Sequence, residues 1–359
     1  MKIYFENLAL SELKRLANTD LITGAEQFGF REKKNTSACI LKMLDKWISR
    51  HEIAAKKYSK NRRYFMLFID WKSAFDRVDH DLLMRRLEQI GASQRTLRIV
   101  HIFLYSSNFS VDGQERHRIE RGCPQGSSLS PLLFIIFFGT LIDRLRSIIS
   151  REKIGVFADD LVVQADGTDE LETLIEAIRT WATENRCEIN TSKTKIVEIR
   201  KQMINYPEGQ KIQDYEIVSD YKYLGVPIDC SLTMSTYLEG LKKKINRLTG
   251  FAYKFQLKEC SIATKLQLFK TYIKPHVDYA IEIWQLEKLS TKFERGVWPL
   301  FFKSLKQLVG IAETASNYRT LAALGLWHPK YVSMLQFVKS AVKLMKQYDS
   351  RADFEENMP

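Results

Sequence analysis

The chain has 359 residues, of which 45% are hydrophobic and 27% charged, enough apolar content to bury a sizeable core and to exclude a disordered polymer. Its formal net charge of +12 points toward a polyanionic partner. The cysteines at 39, 123, 187, 230 and 260 form no CxxC pair, which argues against zinc and a disulfide framework and suits a reducing, intracellular compartment.

Residues 1–60 read as helical, with no apolar core of secretory type in Met1–Asn7. Asn35-Thr36-Ser37 can start a helix that carries Ile40, Leu41, Leu44, Trp47 and Ile48. Residues 56–63 form a basic connector into the apolar run Tyr64–Ile69, which has the pattern of a strand buried on both faces. That strand ends at Asp70. Asp76 reads as a local structural acid. Asp79 is placed to cap a helix with Leu82, Leu83, Leu87 and Ile90 on one face, ending at Gly91. Pro124-Gln125-Gly126 predicts a rigid turn with a permissive backbone before a helix from about Leu129. That helix is apolar on almost every side and too short and interrupted to span a membrane.

Gly155–Val163 predicts strand, turn and strand, with Asp159 and Asp160 at the turn. Taken alone, such a pair is a solvated turn. A third acid ending its own core strand, Asp70, changes the reading. Three carboxylates without His or Cys match the preference of Mg²⁺ for a few acids, water and substrate phosphates. Two ions roughly 3.5–4 Å apart are the arrangement of two-metal phosphoryl transfer. Leu171, Leu174, Ile175, Ile178 and Trp181 form a helical stripe that covers the sheet, giving an α+β architecture. Residues 240–256 predict a helix with Leu241, Ile245, Leu248, Ala252 and Phe255 on one face. Lys242, Lys243, Lys244, Arg247 and Lys254 lie off that stripe, and Lys258, Lys265, Lys270 and Lys274 follow. From about residue 290 the chain reads as helical and aromatic, with Trp284, Trp298 and Trp327 expected in packing.

The order of these segments carries a resemblance. Phe68-Ile69-Asp70, Ala74-Phe75-Asp76, Gly122-Cys123-Pro124-Gln125-Gly126-Ser127, Ser130-Pro131 and Phe157-Ala158-Asp159-Asp160 together resemble the reverse transcriptase family. Asp76-Arg77-Val78-Asp79-His80-Asp81 has the flavour of its non-LTR, LINE-type branch. Glu26–Arg31 is similar to the family's second fingers motif, Asn190–Lys195 to its fourth palm motif, and Tyr223–Val226 to its primer grip. Leu268–Pro275 is similar to the segment after the first thumb helices.

The resemblance implies a right-hand polymerase fold, with residues 1–62 as partial fingers, 63–228 as palm and 229–359 as helical thumb and C-terminal extension. It implies that Asp70 and Asp159 hold two Mg²⁺ ions, or Mn²⁺ in their place, with Asp160 in support. Phe75 would select deoxynucleotides, and Gln125 and Gly126 would lie near the incoming nucleotide. Lys193, with Lys195 as its rival, would meet the pyrophosphate. Tyr223, Leu224 and Gly225 would grip the primer, and Lys242, Lys243, Lys244 and Arg247 would follow nucleic-acid backbone.

The expected partners are an RNA template, a DNA or RNA primer and dNTPs, in a nuclear or cytoplasmic ribonucleoprotein with an organelle kept open. Family members also carry an upstream fingers hairpin with an Arg-Pro-Ile-like sequence. The residues before Gln27 do not match it, and Arg31 is the remaining fingers candidate for the triphosphate. A longer element, a second polypeptide completing the fingers, or a domesticated domain each accommodates this. The function implied is an RNA-directed DNA polymerase. The alternative is an RNA-binding or scaffold subunit without polymerase activity.

Overall fold

In a computed structural model, the described residues are 2–55, 63–105, 108–109, 117–118, 120–124, 126–200, 207, 209–254 and 260–355. The basic connector at 56–62, Gln125, Phe255 and Lys258 lie outside them. The chain divides into two compact units, Met1–Leu224 and Gly225–Pro359.

The first unit opens with α1 (Lys2–Ala17), α2 (Asp20–Thr23) and α3 (Thr36–Ala55). Asn35 Oδ1 accepts the Ala38 amide, which starts α3 as its sequence suggests. Residues 24–35 depart from the helical expectation. They form a loop, because apart from the turn bonds Gln27 N–Gly24 O and Lys34 N–Arg31 O their backbone groups pair with a sheet edge and with side chains and make no continuous helical ladder. Strand β1 (Tyr64–Ile69) is buried along its whole length. Helix α4 (His80–Gln89) is capped by Asp79, whose Oδ1 accepts the Leu82 amide at 3.1 Å, and Gly91 follows at φ +76. Helix α5 (Gln94–Tyr105) and a short ribbon of β2 (Asn108–Phe109) and β3 (His117–Arg118) come next.

Helix α6 (Ser130–Arg146) is buried on nearly every side, as its composition demands. The hairpin of β4 (Ile154–Phe157) and β5 (Asp160–Asp166) leads to α7 (Thr168–Glu184). The α7 stripe Leu171, Leu174, Ile175, Ile178 and Trp181 is fully buried. Strands β6 (Lys195–Ile199), β7 (Lys211–Ile212), β8 (Tyr215–Val218) and β9 (Asp220–Tyr223) complete the unit. Six strands form one sheet in the order β4-β5-β1-β6-β8-β7. Strand β1 therefore sits inside the sheet, antiparallel to β5 and to β6. Strands β6 and β8 run parallel, and the other described pairings within the sheet are antiparallel.

The second unit has β10 (Val226–Asp229) followed by α8 (Ser235–Lys254), α9 (Ile262–Leu268), α10 (Lys274–Asp278), α11 (Glu287–Gly296), α12 (Trp298–Val309), α13 (Asn317–Ala323) and α14 (Pro329–Glu355). Trp284 and Trp298 are buried, as expected. Trp327 is not. It is 79% exposed in the turn between α13 and α14, where no helix face holds it in a core. Among the described residues no helix is long and apolar enough to cross a membrane.

One buried ion pair ties the loop to the helical layer. The Glu26 carboxylate, 1% exposed, accepts from Arg146 Nη2 at 2.6 Å. Removing one partner of such a pair strands the other charge away from water. Arg146→Met is expected to lower the unfolding free energy by about 3–5 kcal/mol in urea titrations. A loss below about 1 kcal/mol would show that solvent reaches Glu26 and screens it.

Candidate active site

The β1–β5 register pairs Ile69 with Leu161. One step further along each strand brings Asp70 beside Asp160. Strand β4 pairs Phe157 with Asp160, leaving Ala158 and Asp159 as a two-residue turn. Asp160 is thus the first residue of β5 instead of a turn residue. Ala158 sits at φ +58, the left-handed geometry that tight hairpins require. The Asp70 backbone is tied on both sides: its amide donates to Thr194 Oγ1 at 3.1 Å, and its carbonyl accepts from Asn190 at 2.8 Å.

These carboxylates stand in one another's fields. Burial raises the Asp159 carboxyl above its ordinary range, and Asp70 adds to the effect. Asp160 keeps one face in solvent, yet protein crowds the other. That lost hydration, then Asp159, then Asp70, pushes its carboxyl up to about 6. Asp70 Oδ2 is buried and has no hydrogen-bond partner among the described residues. An orphaned carboxylate oxygen is costly and calls for an explanation. Among the described residues no three His, Cys, Asp or Glu side chains form a ready-made metal cage. An open set of carboxylate oxygens is what Mg²⁺ takes when water and substrate phosphates complete its shell. The donor chemistry and the orphaned oxygen both fit a divalent cation.

The Phe75 ring stacks on Phe134 at 4.1 Å and 17°, and Phe30 meets its edge at 6.4 Å. The Cys123 amide donates to Phe75 O at 2.9 Å and the Gly122 amide to Val78 O at 2.8 Å. This lays Gly122 and Cys123, which lead into Pro124, alongside the Phe75–Val78 backbone. Gly126 is exposed at φ +82, with open space where a Cβ would stand. Gln125 itself lies outside the described residues.

Two lysine candidates separate cleanly. Lys195 is paired with Glu216. Lys193 is exposed in the Asn190–Thr194 turn whose backbone holds Asp70, and makes no ion pair among the described residues. Arg31 requires a correction. Its guanidinium donates to Gly24 O at 2.5 Å, Asn18 O at 2.6 Å and Asp20 Oδ1 at 2.7 Å. With the side chain only 4% exposed, Arg31 braces its own loop and is not free to meet a triphosphate.

The Tyr223 side chain is also internal. It packs against Trp47 and Phe68, and its hydroxyl lies 3.3 Å from Cys39 Sγ. It anchors the strand, which leaves the turn residues Leu224 and Gly225, at φ +45 and +82, as the part that could approach a primer. In the second unit, Lys243, Lys244 and Arg247 are exposed on α8 without ion pairs among the described residues, whereas Lys242 is half-buried beside Gly296.

A family model described as reverse transcriptase (RNA-dependent DNA polymerase) matches residues 7–228, more than half of the chain. The chain belongs to the reverse transcriptase family. Its non-LTR character is supported by its relatives. It is similar to the probable RNA-directed DNA polymerase from transposon X-element of Drosophila melanogaster, 25% identical over 79% of this chain and 32% of that protein. It is similar also to the RNA-directed DNA polymerase from mobile element jockey of Drosophila funebris, 27% identical over 76% of this chain and 31% of that protein. The chain therefore spans about a third of these relatives' length. Among solved structures, telomerase from Candida albicans with a fragment of telomeric RNA shares 14% identity at a TM-score of 0.46, covering 91% of this chain and 57% of that one.

Two residues beside the acids make contacts that the motifs do not show, Tyr221 outside the motifs and Gln27 within Glu26–Arg31. Tyr221 stacks on Phe68 at 4.5 Å, and burial, then Asp70 and Asp160, push its phenol up to about 12. The alternation Tyr221-Lys222-Tyr223 is the signal, since it puts both tyrosines on one face of β9. Gln27 is the other, and its contacts run across 131 positions of sequence.

The acids also set a pH dependence. A folded-state pKa near 6 for Asp160, above the ordinary 3.8, means that the folded chain binds more protons than the unfolded one between those values. Stability from this group is thus greatest at low pH and declines as pH rises through about 6. In EDTA, Asp160→Asn is expected to be more stable than wild type at pH 7.5, with the gap shrinking below about pH 6 and closing near pH 4. Urea midpoints across that range test it; a gap that is constant with pH would contradict the shift.

Proposed function

We propose that the chain is the catalytic part of an RNA-directed DNA polymerase working in an intracellular ribonucleoprotein. Residues 1–62 act as partial fingers, 63–228 as palm and 229–359 as thumb with a C-terminal extension. One observation carries the reading: acids from two adjacent strand ends, Asp70 with Asp159 and Asp160, lie in one another's fields, with Asp70 Oδ2 buried and unpartnered among the described residues.

Asp70 and Asp159 would hold two Mg²⁺ ions, or Mn²⁺ in their place, with Asp160 supplying further negative charge. When bound, such ions activate a primer 3′-OH and stabilise a leaving pyrophosphate. The chain's own groups do the rest. Thr194 and Asn190 hold the Asp70 backbone in place. Lys193 balances charge on the departing pyrophosphate, since Lys195 is spent on Glu216. The Phe75 ring, backed by Phe134, crowds the sugar and disfavours a ribose 2′-OH. Leu224 and Gly225 approach the primer. Lys243, Lys244 and Arg247 meet nucleic-acid backbone through charge, which makes binding salt-sensitive without reading sequence.

Extension of a primer annealed to RNA, with dNTPs and Mg²⁺, tests this. Template-dependent product is expected; RNA binding with no incorporation on any template would contradict it. That second outcome defines the other reading, an RNA-binding scaffold. One observation favours it: Arg31, the fingers residue assigned to the triphosphate, is committed internally. A second polypeptide that supplies those contacts would reconcile the two.

A further inference from the structure

We propose that Gln27 is a positioning residue that sets the direction of the Asp159 carboxylate by gripping both peptide groups of Ala158. The inference rests on the reading of Asp159 as a metal-holding acid.

Ala158 is the strained point of the β4–β5 hairpin. A residue with a Cβ at φ +58 is disfavoured by sterics, and two-residue hairpin turns usually relieve this with glycine. Such a conformation persists only where its surroundings enforce it. Here the enforcement comes from one side chain. Gln27 Oε1 accepts the Ala158 amide at 2.8 Å, and Gln27 Nε2 donates to the Ala158 carbonyl at 3.2 Å. The first bond fixes the peptide plane before Ala158 and the second fixes the plane after it. With both planes held, φ and ψ of Ala158 are set, and so is the direction in which the next residue, Asp159, leaves the turn.

Gln27 is itself immobile. It is fully buried, and its Oε1 also accepts the Gly29 amide at 2.8 Å. Its backbone lies along the β4 edge: the Phe28 amide donates to Val156 O at 2.7 Å, and the Val156 amide donates to Glu26 O at 3.0 Å. Lys34 Nζ donates to Ala25 O at 2.7 Å and Gln27 O at 3.1 Å. Arg31 holds Gly24 O. Every carbonyl from Gly24 to Gln27 is thereby occupied. The loop also sits too close to the turn for any larger residue at position 29, where an added Cβ would stand 2.2 Å from Ala158 N.

This arrangement exceeds what the hairpin needs for folding. The amide and carbonyl of a turn residue can be satisfied by water, as in most hairpins. A buried amide side chain that fulfils both groups instead ties the reactive end of the hairpin to a loop 131 residues upstream. A carboxylate that must share a cation with Asp70 tolerates little misplacement, since about 1 Å of error can cost on the order of 10²-fold in rate.

The test compares wild type with Gln27→Met, which keeps length and apolar volume but makes neither bond. Amide exchange by NMR reads the grip directly. In wild type the Ala158 amide should be protected despite its place in a turn. In Gln27→Met it should exchange on the order of 10²-fold faster, with the β1 amides of residues 64–69 unchanged. Titration with Mg²⁺ alone, followed by the Asp159 and Asp160 amide shifts, should show weaker binding in the variant. In primer extension, kcat should fall by about 10–100-fold with KM for dNTP within about threefold.

Unchanged Ala158 exchange and an unchanged Mg²⁺ titration in Gln27→Met would overturn the proposal. So would an unprotected Ala158 amide in wild type, a measurement that stands even if the variant fails to fold. A wild type that neither binds Mg²⁺ nor extends a primer, while Ala158 protection still depends on Gln27, would locate the failure in the polymerase reading and reduce Gln27 to a fold brace.

Discussion

Asp159→Asn, and separately Asp70→Asn, should lower primer extension by at least about 10³-fold, equivalent to about 4 kcal/mol of transition-state stabilisation. Asparagine keeps the size of the side chain and one oxygen but carries no negative charge. The acids repel one another and lose hydration, as the raised Asp159 and Asp160 carboxyls record. Neutralising one of them in metal-free protein therefore removes an unfavourable interaction. The variants are expected to unfold at the same or higher urea concentration than wild type. Loss of activity with retained or increased stability separates a chemical role from a packing role. A variant that loses activity only in proportion to lost folded protein would refute the assignment. So would one that extends primers at the wild-type rate.

The second large effect is on sugar selection. Phe75→Ala should raise the kcat/KM for ribonucleotides relative to deoxynucleotides by on the order of 10²-fold, about 2.7 kcal/mol of discrimination. The ring is wedged by a face contact with Phe134 at 4.1 Å and an edge contact with Phe30 at 6.4 Å. It cannot swing aside to admit a hydroxyl without giving up both contacts, which is what a steric filter requires. The bland alternative is that Phe75 is simply an aromatic core residue. Then both nucleotide types would lose activity together and their ratio would stay within a few-fold. The ratio, unlike the absolute rate, is insensitive to how much protein is folded.

Much of the palm was legible because its signals are local or periodic. The apolar run Tyr64–Ile69 became the buried inner strand, Asp79 became the cap of α4, and the stripe from Leu171 to Trp181 became the buried face of α7. The ordered acids identified the family, since Asp70 and the Asp159–Asp160 pair sit at strand ends set by those same runs. Other features were hidden for physical reasons. The Gly24–Asn35 stretch looked helical because one backbone partner, Val156, is distant in sequence and others are the side chains of Arg31 and Lys34, which fold back on the same stretch. Arg31 looked like a ligand contact because a motif gives a residue type but not the direction of its side chain. Trp327 looked like core because tryptophan usually is, yet it lies in a turn that no neighbouring face covers. Gln27 carries no periodic signal for its contacts, and the Tyr221-Lys222-Tyr223 alternation marks a face of β9 without showing what that face meets. Their importance arises only once β1, β4 and β9 are folded together.

Asp70, Asp159 and Asp160 lie in one another's fields, while Arg31 is committed internally. Metal location tests the proposed role of the acids most directly. Crystals of the chain with an RNA–DNA hybrid, a non-hydrolysable dNTP and Mn²⁺ allow the ions to be placed by anomalous scattering. Two peaks about 3.5–4 Å apart, in contact with Asp70 and Asp159 and absent in Asp159→Asn, are expected. Ordered hybrid and nucleotide with no anomalous peak at either acid would contradict the claim.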